Sequence, residues 1–149
     1  LKIYIKKCLE IKKDFIEKDE FEKNIRIFLN YGHTFGHALE GYLNYKIPHG
    51  IAVSHGINIA NFISLKLKLI SLKKFNEIYE LTSKINKKYK IKDINTLKYY
   101  KFILKDKKTI NKNIRIILIN DIGIPLVKTF KKNNILIKYL DEYFRIYNR

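Results

Sequence analysis

Three of the four histidines in this chain, His33, His37 and His49, lie close together among unusual neighbours. They sit in Asn30-Tyr31-Gly32-His33-Thr34-Phe35-Gly36-His37 and in Pro48-His49-Gly50. His33 and His37 are spaced i, i+4. On a helix that puts their Cβ atoms about 6 Å apart and lets two imidazoles grip one metal ion. His49, opening the following helix, offers a third imidazole. Laid on a helix at roughly 100° per residue, Glu22, Arg26, Asn30, His33, His37 and Glu40 share an arc of about 80°. Ile27, Phe28, Tyr31, Phe35, Ala38 and Leu39 occupy the other side. A solvated face is ordinarily lysine and glutamate, whereas this stripe of carboxylate, guanidinium, amide and imidazole is a candidate site. A histidine pair alone is more often two hydrogen-bonded helix side chains. Arg26, Asn30 and Glu22 on the same arc argue for chemistry.

The elements that must position these groups are mostly helices. Leu1 to Lys18 reads as an amphipathic helix, with Ile3, Ile5, Cys8, Ile11, Phe15 and Ile16 at helical spacing. After a polar break at Asp19-Glu20, a second helix is expected from about Phe21 or Lys23 to Leu43, carrying the stripe. Interior glycines cost a helix about 1 kcal/mol each against alanine. Gly32 and Gly36, side by side on this helix, are therefore expected to admit a close backbone approach or a ligand. Asn44 to Pro48 connects to a third helix, opened by His49 and running from Ile51 to Leu69. Its first half is apolar on most faces, the pattern of a central helix. Further helices are expected at about Leu72 to Lys88, Ile94 to Lys105 and Asn133 to Tyr147. Ile114 to Ile119 reads as a strand, Asp121 to Pro125 as a turn and Leu126 to Phe130 as a partner strand. The fold class expected is mainly α, with a small β element near 114–130.

The 149 residues suit one domain with a real core. There is no run of about 18 apolar residues to span a membrane, and no three-part signal peptide. One cysteine, Cys8, excludes an internal disulfide framework, fits a reducing compartment and is expected to be buried or half-buried. A cytoplasmic location is the corresponding expectation. The net charge of +17 points towards nucleic acid, as do Lys87-Lys88-Tyr89-Lys90 and Lys98-Tyr99-Tyr100-Lys101. The excess nevertheless runs the full length beside Ile, Asn, Tyr and Phe, residue types that share AT-rich codons. A solvated surface is the expectation, with a basic nucleic-acid-binding module as the distant alternative.

The run from Leu29 to Glu40 and its continuation His49-Gly50-Ile51-Ala52-Val53 resemble the signature of 3-dehydroquinate synthase. Ile11-Lys12, Asp19-Glu20-Phe21-Glu22 and Arg26 upstream, and Asp106-Lys107-Lys108 with Ile114 to Gly123 downstream, fall where that family has its corresponding segments. The resemblance implies a zinc- and NAD-dependent cyclase of the shikimate pathway. Such an enzyme turns 3-deoxy-arabino-heptulosonate 7-phosphate into 3-dehydroquinate by transient oxidation, phosphate elimination, re-reduction, ring opening and aldol closure. It implies zinc, or another divalent ion such as cobalt, on His33 and His49. His37 would be a proton-handling group beside the substrate, and Glu22 a general base. Lys12, Arg26 and Asn30 would hold the substrate, a phosphorylated sugar acid, and Lys107 or Lys108 would meet its anionic groups.

In that family an NAD-binding domain precedes the helical one and supplies the carboxylate that completes the metal site. The chain starts at Leu1 and has no methionine, so a C-terminal fragment is expected, inactive by itself and lacking the dinucleotide site. The resemblance also implies a homodimer, for which the sequence offers no defensible interface. The family commonly has a glutamate straight after His49-Gly50, where this chain has Ile51. A sister cyclase acting on another phosphorylated sugar is accordingly the alternative reading. Metal-dependent alcohol and glycerol dehydrogenases share the general plan more distantly. His55 falls outside the family's ligand positions and is expected to be structural.

Overall fold

Helix α1 (Lys2–Lys18) ends at Asp19, whose carboxylate organises the turn that comes next in the chain. It accepts the backbone N–H groups of Lys23 at 2.9 Å, Asn24 at 2.7 Å and Arg26 at 3.0 Å. Burial alone would raise the Asp19 pKa, but these three donors outweigh it and hold the carboxyl below its ordinary value. The chain thus turns tightly and enters a 3-10 helix, Ile25–Asn30. The computed structural model describes residues 1–105, 109–110, 113–131 and 134–147. It divides into two units, Leu1–Asn30 and Tyr31–Arg149.

Within the first unit the periodicity of α1 is the expected one, yet none of its residues is buried. Ile3, Ile5, Leu9 and Ile11 are exposed. Cys8, expected to be at least half-buried, is exposed too, because the apolar stripe finds no cover among the described residues.

The single helix expected from Phe21 or Lys23 to Leu43 is not formed. Its first third is the Asp19 turn, its middle the 3-10 helix, and only α2 (His33–Tyr42) is α-helical. Two local causes produce the break. The Asp19 carboxylate takes N–H groups that a continuous helix would have paired with carbonyls. Gly32 then adopts φ 78°, a left-handed conformation that ends one helical segment before the next begins.

The second unit is built around α3 (His49–Lys66). Packed on it are α2, α4 (Leu72–Asn86), α6 (Asn134–Tyr147) and the strand β2 (Asn113–Asp121), which is why its sequence is apolar nearly all round. Helix α5 (Thr96–Lys105) lies against α2 and α6. Strands β1 (Thr109–Ile110), β2 and β3 (Ile124–Lys131) form an antiparallel sheet in that order, with Ile117 opposite Val127. The β2–β3 hairpin is the expected pair, and the short β1 is an addition to it. Phe35, Leu39, Ile59, Ile63, Phe75, Tyr99, Leu136 and Leu140 make one core. Each fully buried side chain of this size contributes about 1.5–3 kcal/mol. Two polar ties fix it: the Tyr99 hydroxyl donates to the Phe35 carbonyl at 2.8 Å, and the Ile119 N–H donates to Ser64 Oγ at 3.2 Å. No described helix is long and apolar enough to cross a membrane.

The decisive contact in this unit is between α2 and α3. A Cβ placed on Gly36 would lie 2.9 Å from Val53 Cα, and one on Gly56 only 2.0 Å from the Gly32 carbonyl oxygen. The two backbones touch. Gly56→Ala should therefore destabilise the protein by about 3 kcal/mol or more, because backbone on both sides has nowhere to move. Gly50→Ala, where an added methyl meets nothing within 4 Å, should be neutral or stabilising by a few tenths of a kcal/mol. Urea midpoints of the two variants measured side by side check this contrast.

Candidate metal centre

Helix α2 opens with His33, so His33, His37 and Glu40 follow one another along a single face at spacings of four and three. Helix α3 opens with His49, immediately after Pro48 in an extended conformation. The Pro48 carbonyl accepts the N–H groups of Ile51 and Ala52 at 3.0 Å each, starting the helix at the histidine. The glycine contact brings the start of α3 beside α2.

The three imidazoles meet as a near-equilateral triangle, with ring centres 5.5, 5.4 and 5.5 Å apart. Below the triangle sits Glu40, its side chain 12% exposed against 46% for His37 and 55% for His49. One carboxylate oxygen lies 2.8 Å from His37 Nδ1 and the other 3.1 Å from His49 Nδ1. Burial would raise the Glu40 pKa, but the two imidazoles outweigh it and hold the carboxyl below its ordinary value.

An ionised carboxylate can only accept, so each of these Nδ1 atoms carries its hydrogen and each Nε2 presents the lone pair. His33 is set the same way by a carbonyl, its Nδ1 lying 3.3 Å from the Tyr31 oxygen. Tyr31 is in turn anchored by its hydroxyl, which donates to Asn61 Oδ1. These Nδ1 contacts favour, for His37 and His49, the tautomer that would ligate through Nε2. The donor set is imidazole-rich and suits zinc, cobalt or a similar divalent ion. Among the described residues, His37, Glu40 and His49 offer donor atoms within 4.8 Å of one another. Glu40 already uses both oxygens on Nδ1 atoms, so it fits the role of the outer carboxylate that orients metal-binding histidines.

The other site residues expected from the sequence belong to the first unit or to residues that are not described. In the first unit, Asn30 donates its amide to the Glu22 carboxylate, and Arg26 donates to the Glu20 carbonyl. Glu22 has φ 54°, an uncommon conformation for a side chain of its size. Lys12 is exposed on α1. The arc of six residues on one helix is thus two groups: Glu22, Arg26 and Asn30 in one unit, His33, His37 and Glu40 in the other. Lys107 and Lys108 lie outside the described residues. Glu40 stood on the arc but received no role from the sequence; its spacing of three from His37 was the available signal. His49 reaching the same carboxylate could not be read from spacing.

His55, one helical turn and a half beyond His49, takes no part in the triangle. Its Nε2 donates to the Tyr89 carbonyl at 2.9 Å. Burial lowers its pKa, and the bond to Tyr89 offsets this only in part.

A 3-dehydroquinate synthase C-terminal family model matches residues 1–109. The chain belongs to that family. It is 39% identical over 140 residues to the 3-dehydroquinate synthase of Campylobacter hominis, covering 93% of this chain and 41% of that one. With the enzyme of Campylobacter fetus subsp. fetus the identity is 44% over 140 residues, covering 91% and 40%. For that of Helicobacter pylori strain P12 it is 36% over 148 residues, covering 93% and 43%. The chain spans about two fifths of the length of these relatives. A solved 2-deoxy-scyllo-inosose synthase, complexed with carbaglucose-6-phosphate, NAD+ and Co2+, has the same fold. The TM-score is 0.81 at 24% identity, over 93% of this chain and 40% of that one.

Two outcomes test this geometry. Glu40→Gln leaves only one acceptor for two Nδ1–H donors, so affinity for Zn2+ or Co2+ should fall about 10- to 100-fold, read by chelator competition on the intact native polypeptide. Unchanged affinity would remove Glu40 from the centre. For His55, the folded pKa lies below the unfolded value of about 6.5, so the unfolded chain takes up a proton that the folded one refuses. Stability should be full above about pH 6.5 and decline as pH falls through the lowered value. His55→Gln should flatten that decline in urea midpoints taken from pH 5 to 8.

Proposed function

We propose that this chain is the metal-carrying C-terminal part of a 3-dehydroquinate synthase. Joined to an NAD-binding part, it would cyclise 3-deoxy-arabino-heptulosonate 7-phosphate to 3-dehydroquinate with loss of phosphate. The observation that carries this reading is the triangle of His33, His37 and His49 over Glu40, inside the segment that matches the family. The NAD+ and Co2+ bound by the 2-deoxy-scyllo-inosose synthase of the same fold support the cofactor pair.

When bound, a divalent ion, zinc or cobalt, supplies Lewis acidity to an alcohol oxygen whose carbon gives up hydride to NAD. His33 and His49 would hold that ion. His37, its Nδ1–H fixed by Glu40, keeps Nε2 to take or return a substrate proton. Glu22 acts as general base, its carboxylate steered by the Asn30 amide. Arg26 offers a planar fork to a phosphate or carboxylate, Lys12 a point charge, and Asn30 a donor and an acceptor to hydroxyls. Lys107 or Lys108 completes the anion contacts. The net charge of +17 favours approach of such a polyanionic substrate. The working enzyme in this reading is cytoplasmic and homodimeric, and contacts neither nucleic acid nor membrane.

Phosphate release by the full-length native polypeptide, supplied with the heptulosonate phosphate, NAD and zinc, tests the proposal. His33→Ala should lower release on the order of 100-fold or more. Ile51, beside the metal-binding His49, favours one second reading, a sister cyclase using another phosphorylated sugar. Phosphate release from another sugar phosphate, with none from the heptulosonate, would select it.

A further inference from the structure

Tyr31 and Gly32 lead into α2, and α3 holds them at two points. Gly32 rests on the α3 backbone, where an added Cβ would lie 2.8 Å from the Ile57 nitrogen. Tyr31 is tied by its side chain, whose hydroxyl donates to Oδ1 of Asn61, also on α3. Burial pushes the Tyr31 hydroxyl above its ordinary pKa, and Asn61 offsets this only in part. The hydroxyl therefore keeps its hydrogen and remains a donor.

Asn61 is 1% exposed, inside a helix that is apolar nearly all round, and its amide nitrogen is buried with no partner among the described residues. Such an amide costs stability. An apolar pair at 31 and 61 would fill the space without that cost, so the bond calls for a reason other than stability. Its direction supplies one. The backbone carbonyl of Tyr31 lies 3.3 Å from His33 Nδ1. A carbonyl only accepts, so this contact is a hydrogen bond when Nδ1 carries its hydrogen. The next residue, Gly32, has φ 78° and no side chain to resist rotation of the peptide that bears this carbonyl. Fixing the Tyr31 ring to α3 restores the stiffness that the glycine gives up.

We infer that Asn61 is a positioning residue for His33. Through the Tyr31 hydroxyl it holds the Tyr31 carbonyl where that oxygen accepts from Nδ1, which leaves Nε2 as the lone-pair position of the ring. The consequence for metal binding rests on the ligand role proposed above for His33; the setting of the ring does not.

Two readouts on the intact native polypeptide test this. Long-range 1H–15N spectra of the metal-free protein report which histidine nitrogen carries hydrogen, and chelator competition reports Zn2+ affinity. In the wild type, His33 should carry its hydrogen on Nδ1. Tyr31→Phe should move the His33 ring signals toward a mixture of tautomers and leave those of His37 and His49 in place. Its Zn2+ affinity should fall about three- to tenfold, less than the roughly 10- to 100-fold that follows loss of a direct partner. The Tyr31→Phe, Asn61→Leu double variant removes both polar groups, so its Tm should return close to the wild-type value. It therefore also decides the matter if a single variant fails to fold. Its His33 signals and Zn2+ affinity should stay displaced, whereas a role confined to stability would restore them along with Tm. Hydrogen on His33 Nε2 in the wild type, unchanged His33 signals in Tyr31→Phe, or wild-type affinity in the double variant would overturn the inference. Absence of Zn2+ binding by the wild type would instead remove the metal reading, and the ring signals alone would then decide the role of Asn61.

Discussion

The backbone contact between α2 and α3 is the constraint on which the candidate metal centre depends. Gly32, Gly36 and Gly56 remove three side chains from the crossing, and the Gly32 carbonyl comes to rest against the α-carbon of Gly56. Helices whose axes are spaced by ordinary side chains stand about 8–10 Å apart. A closer approach brings the first residue of α3 within reach of a carboxylate on α2. The same contact explains why glycines that weaken a helix in isolation are useful here: their cost is met by the packing of α3 into the core.

Glu40 converts that proximity into a defined chemical state. A carboxylate shared between two Nδ1 atoms, of His37 and His49, sets both tautomers at once and leaves both Nε2 atoms as the acceptor positions of their rings. The Tyr31 carbonyl does the same for His33 by a different route. Three imidazoles presented together would otherwise choose their own rotamers and protonation states. Here each is fixed by an acceptor that cannot give a proton back.

The centre belongs to the larger unit, whose core is continuous from α2 through α3 to the hairpin and α6. The smaller unit is organised differently, by one carboxylate rather than by a core: Asp19 gathers three backbone N–H groups, and that turn sets the positions of the residues offered as substrate contacts. The apolar stripe of α1 is left open to solvent. Relatives that are more than twice as long have more chain with which to cover such a surface.

Much of this was legible in the residues themselves. The mainly helical class, the central position of α3 and the β2–β3 hairpin could be read from periodicity and β-branched runs, because burial imposes those periods directly. The histidines announced a candidate site by type and spacing, since i, i+4 is a distance fixed by helix geometry. The break at Asp19 and Gly32 was not legible. A helical period survives an interruption that begins and ends on the same face, so the arc looked continuous where the chain was not. Nor could spacing reveal that Glu40 serves two histidines from different helices. The sequence by itself determined which groups are available and which local segments carry them. Only the tertiary structure decided that His49 joins His33 and His37, because that meeting is set by how closely two backbones can pack, a quantity no single segment contains.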